Sequence, residues 1–184
     1  MRNCNYTRKV IMRLINNTKS LIDWNQVIQN CKDGNTLKYN IECFPHDTFA
    51  KLNSIWKDAG YVYNDPCIEW TNYFPSQDIV DKFQSIVKAT AWMAWISRIR
   101  PGKMAPWHYD AHSKLADLLK LGTPVRFTCY IQEPQDGHIS IVGDHSLYKP
   151  EKGSIYQWDS FDDWHCGMNG GLTDKFMFNY WGYQ

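Results

Sequence analysis

The sequence reads as an α+β fold, with amphipathic helices laid over a β core of sandwich, jelly-roll or barrel type. Apolar residues recur at helical spacing through the first half of the 184 residues, and from Ala91 the period shortens to two. The strand-like runs that follow are short and punctuated by the turn signals "PG", "QDG", "PEKG" and "NGG".

Three helices are expected in the first half. "SLIDWNQVIQN", from Ser20, carries Leu21, Ile22, Trp24, Val27 and Ile28 on one face, with Gly34 beyond its end. "DTFAKLNSIWKDAG" begins on Asp47 as a cap, repeats Phe49, Leu52 and Trp56, and stops at Gly60. "SQDIVDKFQSIVKA" has Ser76 as its cap, Asp78 in the first turn, and Ile79, Val80, Phe83, Ile86 and Val87 as its apolar stripe. "AWMAWISRIR" then places Trp92, Ala94 and Ile96 on one side and Met93, Trp95 and Ile99 on the other, as a strand buried on both faces does. "APWHYD", "PVRFTCYIQE", "HISIVG", "GSIYQWD" and "DKFMFNYWGY" read as further strands. "SKLADLLKLG", with Ser113 as cap and Gly122 as stop, reads as a helix inserted at about 113–122. The expected organisation is a single domain, mainly helical over 1–90 and a β core over 91–184, with no internal repeat.

A hydrophobic share of 43% with a net charge of +1 describes a globular chain and supplies no basic stripe, so bulk nucleic-acid binding is not expected. No run of about 20 apolar residues spans a membrane, and the N-terminus lacks the apolar segment of a signal peptide, so the expected address is the cytoplasm. The six cysteines form no CxxC pair, which suits buried, reduced thiols.

The chemistry concentrates in two segments. In "PGKMAPWHYDAH", strand alternation projects His108 and Asp110 to one face. His112 lies too far along to share that face if a helix starts at Ser113. In "FDDWHCGMNGGLTDKFMFNYW", His165 follows an aromatic-acidic turn and Lys175 opens a strand ten residues later. Two imidazoles and one carboxylate on one face of a metal leave positions open, the arrangement of non-haem Fe(II) oxygenases. A nearby cation, Lys175 or Arg126, can then pair with a cosubstrate carboxylate. His138 and His145 either line the mouth of such a site or lie exposed.

With these segments, covering about half of the chain, the sequence resembles the Fe(II)- and 2-oxoglutarate-dependent oxygenases, most nearly the aspartyl/asparaginyl β-hydroxylase and small prolyl hydroxylase group. "RPGKMAPWHYD" is similar to that family's first metal strand and "FDDWHCGMNGGLTDKF" to its distal-histidine segment. The stretch "GHISIVGDHSLYKPEKGSIYQWD" resembles the hairpin and loop between them.

The resemblance implies a double-stranded β-helix (jelly-roll, cupin-like) core with the N-terminal helices packed on the sheet. It implies His108, Asp110 and His165 as iron ligands, Lys175 as the anchor of the distal carboxylate of 2-oxoglutarate, and Arg126 and Thr128 as further cosubstrate contacts. Fe(II), 2-oxoglutarate and dioxygen would serve to hydroxylate an unactivated C–H bond, of a peptidyl or free Pro, Asp or Asn side chain. The partners are then a small-molecule or peptide substrate. Two departures stand out: Asp110 occupies a position that is glycine in animal-type aspartyl β-hydroxylases, and Lys175 replaces the usual arginine. The alternatives are a non-enzymatic metal-binding jelly-roll protein and an oxygenase acting on a nucleobase or small metabolite.

Overall fold

The computed structural model describes residues 12–31, 36–39, 54, 56–61, 65–109, 119–158 and 163–184. In chain order the elements are β1 (Met12–Asn17), α1 (Trp24–Cys31), β2 (Thr36–Tyr39), β3 (Trp70–Tyr73), α2 (Gln77–Val87), β4 (Thr90–Ile99), β5 (Lys103–His108), β6 (Pro124–Tyr130), β7 (His138–Val142), β8 (His145–Tyr148), β9 (Ser154–Trp158), β10 (His165–Asn169) and β11 (Lys175–Tyr183).

Two sheets face one another. The larger has the order β1-β9-β6-β11-β4-β3-β2 and the smaller β5-β10-β7-β8, and every named strand pair is antiparallel. From β4 onward the chain crosses between sheets at every step except the β7–β8 hairpin, so the core is a double-stranded β-helix of jelly-roll type.

The helices cover the outer face of the larger sheet. Period-two alternation sends Phe176, Phe178 and Tyr180 of β11 and Phe127 and Cys129 of β6 to that face, where α1 and α2 supply Trp24, Val27, Val80 and Phe83. Phe83 is the hub, with its ring centroid 4.7 Å from Phe178 and 5.2 Å from Tyr180. Phe83 is fully buried, so Phe83→Ala costs about 3–5 kcal/mol of unfolding free energy, read as a lower urea midpoint at unchanged slope. The alternate positions, Lys175, Met177, Asn179 and Trp181 of β11 and Arg126, Thr128 and Tyr130 of β6, face the smaller sheet.

The local signals differ from expectation at several ends. The first helix starts at Trp24, where Asp23 Oδ1 accepts the Gln26 N–H at 3.1 Å; Asp23 is thus its capping side chain. Ser76 occupies the cap position of α2 with extended backbone but makes no side-chain cap bond. That helix ends on Lys88 in the left-handed region at φ 54°, its N–H bonded to the Gln84 carbonyl. Of the expected 47–60 helix, residues 54 and 56–58 are helical and Gly60 closes the turn at φ 89°. Its Asp47 cap and most of the 113–122 insertion lie outside the described residues. β1, β2 and β3 are additions to a first half in which only helices were expected. β1 leaves Leu14 and Ile15 exposed, and β3 is a four-residue run between Pro66 and Pro75, so neither shows a buried alternation long enough to read.

Candidate active site

His108 ends β5 and His165 opens β10, and the two stand directly opposite in register with ring centroids 4.2 Å apart. Between this pair and the next, Gly167 with Ala105, β5 has one residue more than β10. That bulge falls at Pro106–Trp107, where a proline needs no ladder donor, and it brings Ala105 and His108 to the same cavity despite their odd spacing.

Backbone carbonyls fix both tautomers. His108 Nδ1 lies 2.6 Å from the Pro106 carbonyl and His165 Nδ1 lies 2.9 Å from the Asp163 carbonyl. A carbonyl only accepts, so each Nδ1 carries hydrogen and donates it. Burial, then the neighbouring His108 and Arg126, hold the His165 pKa well below the usual imidazole range. His165 is therefore neutral, with the lone pair on Nε2 facing Arg126 Nη2. An imidazole held through Nδ1–H to a carbonyl carries its lone pair on Nε2, the donor form that a borderline metal takes. Aromatic rings hold both imidazoles in place: Trp70 stacks at 6.3 Å from His108, and Trp158 meets His165 edge-on at 4.8 Å.

Arg126 stands at the same end of the cavity. Its guanidinium carbon is 4.0 Å from the Trp158 ring centroid and 5.6 Å from that of Trp181, and Nη2 is 3.5 Å from His165 Nε2. Burial lowers the arginine pKa to about 9, and the Asp163 carboxylate opposes that shift.

Lys175 lies behind Ser140 of the cavity wall. Only 1% of its surface is exposed, and Nζ donates to Ser140 Oγ at 2.7 Å and to the Ile139 carbonyl. Among the described residues no carboxylate pairs with it, and burial lowers its pKa to about 7. An ammonium whose only partners are neutral is costly to hold charged in the interior, which is the cause of that lowering.

Between the sheets lies a cavity of about 540 Å³, lined by both imidazoles, Arg126, Tyr130, Ser140 and a ring of tryptophans. That volume falls in the usual range for small-molecule sites. Its floor carries a hydrogen-bonded row across four adjacent strands, in which sequence reasoning named Thr128 and missed Asn179, Ser97 and Asn72. Thr128 Oγ1 donates to Asn179 Oδ1 (3.3 Å), Asn179 Nδ2 to Ser97 Oγ (3.0 Å), and Ser97 Oγ to Asn72 Oδ1 (3.0 Å). The Lys175, Met177, Asn179 and Trp181 spacing was the available signal, since alternate residues of one strand share a face.

The structure thus brings His108, His165, Arg126 and Thr128 to one cavity, with Lys175 behind Ser140. Asp110 and His112 lie outside the described residues, and among those described no third His, Cys, Asp or Glu joins the two imidazoles. His138 and His145 are not in the cavity wall. His138 is buried against the Thr173 carbonyl at 2.9 Å, and His145 faces Asp144 at 3.5 Å.

No protein-family model matches the chain, and no curated protein matches it. Among solved structures it is similar to an oxidoreductase of the 2OG-Fe(II) oxygenase family from Burkholderia pseudomallei, at 11% identity and TM-score 0.45 over 89% of this chain and 92% of that one. It is also similar to the viral collagen prolyl hydroxylase of Paramecium Bursaria Chlorella virus-1, at 18% identity and TM-score 0.44 over 82% and 91%. A third likeness is to a predicted oxalate decarboxylase from Thermotoga maritima, at 9% identity and TM-score 0.40 over 63% and 82%.

Proposed function

We propose that the protein is an Fe(II)- and 2-oxoglutarate-dependent oxygenase that hydroxylates an unactivated C–H bond of an amino-acid side chain, peptidyl or free Pro, Asp or Asn. The observation that carries this reading is one cavity lined by two carbonyl-locked imidazoles and, bonded to Ser140 of its wall, a buried lysine with no carboxylate partner among the described residues. In this reading His108 and His165 bind iron through Nε2, and Asp110, two residues past His108, supplies the carboxylate. Bound there, the iron supplies the oxidising chemistry, coupling decarboxylation of 2-oxoglutarate to succinate with hydroxylation of the substrate by dioxygen.

The chain's own groups divide the remaining work. Lys175 holds the far carboxylate in a charge-assisted pair. Arg126, beside the His165 nitrogen, sits at the metal end, so the distal anchor falls to Lys175 and Arg126 contacts the groups nearest the metal, with Thr128 behind it. Trp158, Trp181 and Trp95 exclude water from that end. A non-enzymatic metal-binding role accounts less well for an open cavity whose wall is backed by a buried cation.

Anaerobic addition of Fe(II) and 2-oxoglutarate is expected to produce a weak visible charge-transfer band. Calorimetry that detects no binding of 2-oxoglutarate to the Fe(II)-loaded protein sinks the reading. Succinate release, screened against free amino acids and peptide pools, identifies the substrate.

A further inference from the structure

Asn72 lies on β3, with Trp70 two residues before it and Phe74 two residues after it, and the three line the inter-sheet cavity together. Trp70 is the ring stacked on His108 and Phe74 is 55% exposed, so this face runs from the metal end to the rim. Asn72 also ends the hydrogen-bonded row of the floor, and the row fixes which way its amide points. Ser97 Oγ accepts from Trp95 Nε1 at 3.1 Å and from Asn179 Nδ2, which uses both of its lone pairs. Its one hydrogen is left for Asn72 Oδ1, so the oxygen of Asn72 is turned to the floor and its Nδ2 donors are turned away from it. Thr128, Asn179 and Ser97 are buried and satisfied within the row, whereas Asn72 is half-buried and its Nδ2 has no partner among the described residues. The charge of the wall adds a second condition. Among the described residues no Asp, Glu or Lys lines the cavity, and Arg126 is its cation. A free amino acid would bring an ammonium into that wall with no carboxylate to meet it, and an unpaired charge is costly to desolvate. An amide-linked residue brings a neutral nitrogen and a carbonyl that can accept from Nδ2.

We propose that Asn72 donates to a backbone carbonyl of the substrate, so that the cavity takes an amide-linked residue rather than a free amino acid. This inference rests on the oxygenase reading above. Two residues of strand span about 6.6 Å, so a carbonyl held at Asn72 leaves room for the adjoining side chain to reach toward His108, on which Trp70 stacks.

The test is succinate release by Fe(II)-loaded wild type, Asn72→Asp and Asn72→Ala, with the N-acetyl amides of Pro, Asp and Asn set against the same amino acids free. Wild type is expected to turn over at least one blocked residue with a kcat/KM about tenfold or more above that of its free counterpart. Asn72→Asp keeps an oxygen for the Ser97 hydroxyl and replaces the outward donor by an acceptor. The KM for that blocked residue is expected to rise about tenfold or more in Asn72→Asp and about threefold or more in Asn72→Ala, with kcat held within about threefold. Calorimetry on the Mn(II)-loaded proteins is expected to give 2-oxoglutarate affinities within about twofold of wild type in both variants, which a general disturbance of the cavity would not leave in place. An unchanged KM in either variant, a loss shared by 2-oxoglutarate and substrate, or a preference for a free amino acid overturns the proposal. A wild type that binds 2-oxoglutarate but turns over none of the blocked residues overturns it while leaving the oxygenase reading intact. A wild type that binds no 2-oxoglutarate overturns both.

Discussion

His165→Ala is expected to abolish Fe(II) binding and, with it, the charge-transfer band that Fe(II) and 2-oxoglutarate produce together. Losing an outer hydrogen-bond partner of a metal ligand costs roughly 10–100-fold in affinity, and losing one of two imidazole donors costs more than that. The fold survives the change. The Asp163 carbonyl loses its Nδ1–H partner, which costs about 1–2 kcal/mol, a fraction of the stability of a domain this size. Circular dichroism should therefore show a folded variant with a modestly lower melting temperature, while anaerobic Fe(II) titration shows no binding. Wild-type metal affinity in a folded His165→Ala protein would remove the paired imidazoles as the metal centre.

Lys175→Met is expected to move function and stability in opposite directions. Methionine fills a similar volume without charge, so the distal carboxylate loses its cation and 2-oxoglutarate binding weakens on the order of 100-fold, the scale of a charge-assisted hydrogen bond of about 2–3 kcal/mol. Fe(II) binding is unaffected. The pH dependence identifies the cause. Burial lowers the lysine from its ordinary value of 10.5 to about 7, so between these values the unfolded chain is protonated and the folded chain is not. The lysine's contribution to stability is therefore complete above about pH 10 and is lost as the pH drops toward 7, at up to about 1.4 kcal/mol per unit, then levels off.

Lys175→Met lacks this decline. Urea titrations of both proteins from pH 6 to 10 should show the variant gaining relative to wild type as the pH falls. A constant gap would mean the lysine is not buried as a titrating cation. The groups facing it, Cys166 of β10 and His138 of β7, are each lowered by its charge, so their titration also moves in Lys175→Met and adds to the difference between the two proteins. In the wild type, 2-oxoglutarate should also bind more weakly above pH 7, by about tenfold per unit, because the ammonium must be present to hold the carboxylate.

Much of the β core was legible because its signal is local. The alternation of β4, β6 and β11 follows from burial on both faces, with Phe127, Phe178 and Tyr180 outward against the helices and Arg126, Asn179 and Trp181 inward. β1 and β3 were not legible. They join the larger sheet by backbone pairing to β9 and β4, and a short or exposed strand carries little side-chain pattern of its own. The 47–60 helix showed in its Trp56 and Gly60, but the use of Trp56 did not: its indole N–H donates to the Trp107 carbonyl, 51 residues away, and secures the bulge next to His108.

At the site, residue types and order singled out His108, Asp110, His165 and Lys175, since a metal and a dicarboxylate require imidazole, carboxylate and cation in some arrangement. Distances between them are set by strand register, which depends on partners far away in sequence. Only the tertiary structure decided that His108 and His165 face each other across β5 and β10, that a bulge at Pro106–Trp107 aims the first imidazole inward, and that Arg126 lies beside His165 while Lys175 lies behind Ser140. By itself the sequence determined which strands alternate and which side chains can ligate, because both are properties of neighbouring residues. The cavity, the carbonyl-locked tautomers and the depressed lysine belong to the packing of two sheets, because burial and hydrogen-bond partners exist only once the chain has folded.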